Sequence, residues 1–531
     1  MSATAAPERR GADAGQARRT GAGAGAAGIG WFARHEARLA WRDFRALLSG
    51  GRRRSRFGVA LGGAVIVTFL HWLANRMFGD VAATAEITDR PTLIVITGIL
   101  ILGWMLMLSQ AVEVVTRAFY TRADLELILS SPAAAWQLFS VRIAAMAVSL
   151  GLLSLLMAAP FLNVLAWRGG ARWLGGYGVL IAFAMLAVAA ALALMVAMFR
   201  VIGPRRTRLV AQIVAAVIGA VFIVGLQCAA IATYGTLSTA LVLQSQAFND
   251  IAPEGDSLIW WPARALLGEI PALLALLGAA LALLLAAILA FAPRFGPFAV
   301  AAASVGPGAR AVSGAAAELP TRSIAQALRH KEWALLRRDP WLASQSLMQI
   351  LYLIPAAFLL WHHFGDGTDV DALLVPVLIA AAGQLAGGLA WIAVAGEDAP
   401  ELIASAPVPP RQVLRAKIEA VMSALAAIFL PFIAAIALLS ARAGLVALAG
   451  VAVVVASSTA IQFWFRAQAR HNRMRRRQTP TRLVSVTEAL AAINFAASAA
   501  LLTAGNRLWV VPGLIAAIIV AGAWAVSPAR E

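Results

Sequence analysis

Along almost the whole chain beyond residue 56, unbroken apolar runs alternate with short polar stretches. Many of these runs reach the ~18 to 20 residues needed to cross a bilayer. Spans are expected near 57–75, 92–114, 143–166, 177–199, 209–233 and 269–292, and again near 343–362, 372–395, 412–439, 444–465, 483–503 and 508–526. Hydrocarbon offers no water to satisfy backbone amides, so a spanning segment must be a helix or part of a closed barrel. Barrel strands alternate apolar and polar residues, and these runs do not. The pattern predicts an all-α, polytopic integral membrane protein with about twelve transmembrane helices in a six-plus-six arrangement.

The polar stretches divide the chain further. Residues 1–30 are Ala, Gly and Arg without an apolar run, and such a composition cannot bury enough surface to fold. Over Trp31 to Ser49, Ala33, Ala37, Ala40, Phe44, Leu47 and Leu48 form one helical stripe, with His35, Arg38, Arg42 and Arg45 opposite. That is the pattern of a helix lying in the membrane interface. Ala325 to Asp339 repeats it, with Glu332, Arg338 and Asp339 matching Glu36, Arg42 and Asp43, although Lys331 interrupts its stripe of Ile324, Leu328 and Leu335. Four domains are expected: a disordered tail (1–30), a first six-helix domain (31–294), a linker rich in Gly, Ala and Pro (295–322) and a second six-helix domain (323–531).

The halves echo each other. Asp-Leu-Glu-Leu-Ile-Leu-Ser-Ser-Pro ends at Pro132, and Ala-Pro-Glu-Leu-Ile-Ala-Ser-Ala-Pro ends at Pro407. Glu126, Leu127 and Ile128 stand 275 positions before Glu401, Leu402 and Ile403, and each copy leads to a basic residue, Arg142 or Lys417, at the head of an apolar run. Thr207 to Val210 recurs at Thr481 to Val484, and Gln110 recurs as Gln384, both at an offset of 274. Collinear matches at one offset mark an internal duplication.

Composition sharpens this picture and removes several classes of function. Hydrophobic residues make up 61% of 531, charged residues 13%, and the net charge is +18. In a soluble protein that charge would point to nucleic acid. Here the arginines fall between apolar runs, as at Arg52 to Arg56, Arg200 to Arg208 and Arg466 to Arg482, which by the positive-inside rule puts those loops and both termini in the cytoplasm. Only Lys331 and Lys417 among the 44 basic residues are lysines, a bias attributable to genome composition. Cys228 is the only cysteine, so disulfides and thiolate clusters are excluded. There is no Gly-x4-Gly-Lys-Ser/Thr, so ATP cannot bind by that route, and no His-Glu-x-x-His. His362, His363, Asp366, Asp369 and Asp371 gather in one loop, but their spacing fits no metal motif. Ionisable groups within the spans are sparse (Glu113, Glu419, Glu488), which disfavours a proton-coupled carrier.

With these residues in view, the chain resembles the permeases of type 2 ABC exporters. In that family each domain starts with an interfacial elbow helix, crosses six times, and carries a Glu-x-Leu-Leu-x-Ser-Pro-like segment between its second and third spans. Leu125, Glu126, Leu127, Leu129, Ser131 and Pro132 match that segment, as do Glu401, Leu402, Ser405 and Pro407. The resemblance covers residues 31–531. It implies that these positions couple to a separate ATPase subunit, in two copies, and that Glu36, Arg42, Asp43, Glu332, Arg338 and Asp339 belong to elbow helices. It further implies that ATP sits on the partner, that this chain is not itself an enzyme and binds no cofactor, and that its place is the bacterial inner membrane, among lipid and an unidentified transported substrate. Two features depart from the family. The usual Gly-Thr before the Glu-Leu-Leu run is missing, and only Ala504 to Asn506 joins the last two spans, where Tyr234 to Pro262 leaves room for a re-entrant hairpin in the first half. Gln110 and Gln384 could line a pathway or bond between helices, and Gly383-x-x-x-Gly387 beside Gln384 favours packing. A twelve-helix secondary carrier of the major facilitator type is the alternative, although its Asp-Arg-x-Gly-Arg-Arg-like loop is absent. A non-transporting scaffold or immunity protein is a third.

Overall fold

The computed structural model describes residues 30–38, 56–78, 90–120, 135–236, 238–254, 257–303, 323–338, 371–395, 405–465 and 482–527, with scattered positions between 347 and 362. Among the described residues there is no strand. Ten helices among them are long and apolar enough to cross a membrane, so the chain is an all-α, multi-pass membrane protein.

In chain order the helices are α1 (residues 30–38), α2 (Arg56–Phe78), α3 (Arg90–Tyr120), α4 (Ala135–Gly169), α5 (Gly175–Tyr234), α6 (Thr239–Leu243), α7 (Gln246–Ile251), α8 (Trp261–Leu266) and α9 (Ile270–Ala303). There follow α10 (Ile324–Arg338), α11 (Asp371–Ala395), α12 (Pro410–Leu439), α13 (Ala441–Trp464), α14 (Arg482–Thr503) and α15 (Val510–Val526). The helix α2 covers the first expected span, and the expected span 343–362 lies largely outside the described residues.

Some expectations are corrected. The helix α9 continues to Ala303, so the first residues assigned to the linker at 295–322 are helical: the turn carries on past Gly296 and Pro297 into a mostly alanine run, Ala299 to Ala303, that favours helix. The expected fourth and fifth spans, by contrast, stand as two: the spans Ala171–Gly203 and Arg206–Tyr234 are parted by a kink within α5 at Gly203 (φ 75°, ψ 164°), a region of backbone space open to glycine alone. Within the stretch Tyr234 to Pro262, Trp260 is buried and donates its indole N–H to the Glu254 carbonyl at 2.9 Å. In the described part of the first interfacial helix, Ala33 and Ala37 are exposed. The buried side chain there is Phe32, packed with Leu138 and Val141 of α4, because an aromatic ring removes far more apolar surface from water than an alanine methyl.

The chain divides into two compact units that do not follow sequence order. One comprises Met1–Leu93, Met107–Ala211 and Glu254–Gly308; the other comprises Ile94–Leu106, Gln212–Pro253 and Ala309–Glu531. Ile231 shows why a segment from the first half groups with the second, since it is fully buried in one cluster with Leu336, Leu353 and Val375. In the second unit α11 is central, with 61% of its spanning window buried, and it packs on α12, α13 and α14. Small residues permit that closeness. A Cβ on Gly383 would stand 2.7 Å from Val454 and 2.9 Å from Ala492, and one on Gly387 would stand 2.6 Å from the Glu488 carboxylate. The Gly-x-x-x-Gly thus sits at the crossing of three helices. In the first unit Gly175 has no room for a Cβ against the Ala265 carbonyl, which brings the start of α5 onto α8.

Candidate functional site

The helix α10 begins with a reciprocal cap. Ser323 Oγ accepts from the Gln326 amide, and Gln326 Oε1 accepts from the Ser323 amide, both at 3.3 Å. This satisfies two amides that a helix start leaves without intrahelical partners. From that start α10 packs against α12 and α11 and delivers Glu332 to the junction between them, where the residue is 1% exposed.

A buried carboxylate needs compensation, because an ion taken from water into a low-dielectric interior loses several kcal/mol of hydration. Both lysines of the chain supply it. Lys417 Nζ on α12 lies 3.1 Å from each Glu332 oxygen, and Lys331 Nζ lies 3.2 Å from Oε1. Lys417 also donates to the Ala393 carbonyl in the last turn of α11, whose final carbonyls have no intrahelical donor. Two residues further along α12, Glu419 receives Arg329 Nε of α10 at 2.6 Å and Arg415 Nε of α12 at 2.7 Å. One charge cluster therefore ties together α10, the end of α11 and the start of α12. The last two are the roots of segment 396–409, which carries the second Glu-Leu-Ile motif.

Of the site residues expected there, Ser405 and Pro407 are exposed. Pro409 caps α12, its carbonyl accepting from the amides of Gln412 and Val413. Glu401 and Leu402 lie outside the described residues, as do Leu125, Glu126, Leu127, Ser131 and Pro132 of the first motif, and Arg42, Asp43 and Asp339. Arg338 closes α10. Glu36 is half-buried on α1. Arg142, the counterpart of Lys417, is 2% exposed and follows Val141, against which Phe32 packs. Each short amphipathic helix thus reaches the first turns of the span that follows a motif, next to a buried basic residue.

Gln110 and Gln384 both lie at exposed helix positions. A separate polar seam runs inside the second unit. Glu488 of α14 is 9% exposed, receives a hydrogen bond from Gln462 of α13, and leaves Oε1 buried without a hydrogen-bond partner. Among the described residues no group of three or more His, Cys, Asp or Glu is placed to hold a metal ion. Of the polar loop, only His362 and the helix-opening Asp371 fall within them.

Sequence reasoning read Lys331 as a break in a stripe and the Lys-to-Arg bias as genomic. The signal was nevertheless present: in a chain that otherwise uses arginine, both lysines meet one glutamate. An ammonium is a compact point charge that can bridge two oxygens and a carbonyl in a slot too small for the planar guanidinium fork.

Fold and site together define a multi-pass helical membrane protein in which the amphipathic helix α10 is anchored by a buried charge cluster at the end of α11 and the start of α12. No family model, no curated protein and no solved structure matches this chain.

Proposed function

We propose that the chain is the membrane-spanning permease of an ATP-binding-cassette exporter in the bacterial inner membrane, driven by a separate ATPase subunit. Segments 121–134 and 396–409 act as cytoplasmic coupling elements, and both termini are cytoplasmic. The observation that carries this reading is the double rooting of segment 396–409 by Lys417, which bonds the end of α11 and, through Glu332, the interfacial helix α10. A segment can pass force to a bundle only if its roots do not yield, and a buried, mutually satisfied ion cluster is a stiff root. ATP-driven closure of two ATPase copies would move both segments and, with them, the helices they join.

The test is to isolate the full chain from its native membrane with any P-loop ATPase that co-purifies and to measure ATP hydrolysis in proteoliposomes; absence of such an ATPase would refute the reading. The variant Glu126→Ala/Glu401→Ala is expected to lower permease-dependent hydrolysis at least tenfold while membrane insertion is unchanged; unchanged hydrolysis would refute the reading. One observation favours the secondary carrier instead, namely the buried Glu488, since ionisable groups within a membrane commonly serve ion pathways. Proton-driven uptake in the same vesicles without any ATPase would establish that alternative.

A further inference from the structure

In the first unit, the C-terminal turns of α2 and α4 border an open cavity of about 760 Å³ lined by His71, Asn75, Asn163, Trp167 and Arg168 among others. Its polar groups form two layers, one helical turn apart. The lower layer is a directed chain. Tyr177 Oη donates to Asn163 Oδ1 at 2.6 Å, which leaves the Asn163 amide N–H to donate to His71 Nε2 at 3.3 Å. The other ring nitrogen, Nδ1, lies 2.8 Å from the Val67 carbonyl, which can only accept, so Nδ1 carries the proton and Nε2 is the acceptor. This layer satisfies itself.

The upper layer does not. Arg168 Nε donates to Asn75 Oδ1 at 3.0 Å, which fixes the guanidinium and turns the Asn75 amide nitrogen into a donor. The two terminal nitrogens of Arg168, the Asn75 amide and the indole N–H of Trp167, 91% exposed, are all donors, and the described residues that line the cavity include no carboxylate. Donors grouped around a fixed guanidinium, in a cavity whose remaining wall is largely apolar, select an anion with several acceptor oxygens.

Depth identifies the chemistry. His71 lies seven residues before the end of α2 and Asn163 six before the end of α4, which at 1.5 Å per residue places the lower layer about 10 Å inside the helix ends. The upper layer is then near the headgroup level, where tryptophan is also favoured. The helix faces one to two turns below expose Val67, Phe69, Leu156 and Met157, which suits acyl chains.

We propose that this cavity is a phosphate-binding site at a membrane surface, with Arg168, Asn75 and Trp167 holding the anion and the Tyr177–Asn163–His71 chain holding α2, α4 and α5 in register beneath it. The phosphate belongs to a phospholipid headgroup or to a free phosphoanion. The proposal does not depend on the ATP-driven reading. The test uses the full, delipidated chain in detergent with three probes: dihexanoylphosphatidylglycerol, uncharged dihexanoylglycerol and inorganic phosphate. Arg168→Gln is expected to weaken phosphatidylglycerol binding at least tenfold and Asn75→Leu several-fold, with Arg507→Gln unchanged. Arg168→Lys keeps the charge without the fork, so it is expected to bind only a few-fold more weakly, and it tests the site should Arg168→Gln elute as aggregate. Phosphatidylglycerol binding that millimolar phosphate does not displace assigns a lipid headgroup; phosphate binding with the same dependence on Arg168 assigns a free phosphoanion. Equal binding of dihexanoylglycerol, binding indifferent to Arg168, or no binding of either phosphate probe would overturn the site.

Discussion

Replacing Lys417 by Met is the most informative single change in the second unit. Glu332 is 1% exposed, and its two oxygens share the Lys417 ammonium at 3.1 Å. Without that ammonium the carboxylate keeps only Lys331, at 3.2 Å on a side chain 31% exposed. Removing one partner of a buried pair costs about 3–5 kcal/mol, because the other charge stays buried without compensation. The remaining lysine moderates this, so we expect a loss of about 3 kcal/mol, roughly a hundredfold in the folding equilibrium. Lys331→Met leaves the Lys417 bridge intact and removes only a water-screened contact, for which a loss of ~1 kcal/mol or less is expected. Glu332→Met/Lys417→Met removes both charges and should cost at least ~2 kcal/mol less than the two single changes summed. Stability is read by reversible unfolding of the full chain in mixed dodecylmaltoside and dodecylsulfate micelles. Equal losses for the two lysine variants, or simple additivity in the double variant, would show that the cluster is an exposed ion pair and not a buried root.

Two glycines separate steric from backbone effects, read in the same unfolding assay. Gly387→Ala puts a methyl group 2.6 Å from the Glu488 carboxylate, and this overpacking should cost about 1–3 kcal/mol; Gly225→Ala, helical with nothing within 4 Å, should cost nothing. Gly203→Ala meets open space but must hold φ 75°, ψ 164°, so a loss of ~1–3 kcal/mol is expected from backbone strain alone, and an unchanged midpoint would mean that the bend in α5 relaxes freely.

The class of this protein and most of its helices follow from local physics that a linear reading can apply. A run such as Leu374 to Val394 has one stable form in hydrocarbon, whatever its neighbours, because its backbone must bond to itself. The short connection Ala504 to Asn506, where Gly505 takes a positive φ, was legible as the gap between two such runs. Where a helix ends was less so. Residues 295–303 read as linker by composition, and Gly296-Pro297 is a breaker signal in a linear reading, yet α9 runs through both to Ala303. Gly383 and Gly387 were visible as a packing motif, but not their partners Val454, Ala492 and Glu488, which lie far along the chain.

The charge cluster depended on tertiary structure most of all. Lys331 sits next to Glu332 in sequence, while Lys417 lies 85 positions from Glu332, and the value of a lysine at either place depends on burial that only the packing of α10 against α11 and α12 creates. The anion cavity is similar, since His71, Asn163 and Tyr177 are unremarked polar residues on three helices until their ends converge. Sequence by itself decided that these segments span a membrane as helices, because that choice turns on hydrogen bonds within each segment. Tertiary structure alone decided which polar side chains meet, because an ion pair in a low-dielectric interior depends on distances of a few ångströms between segments distant in the chain.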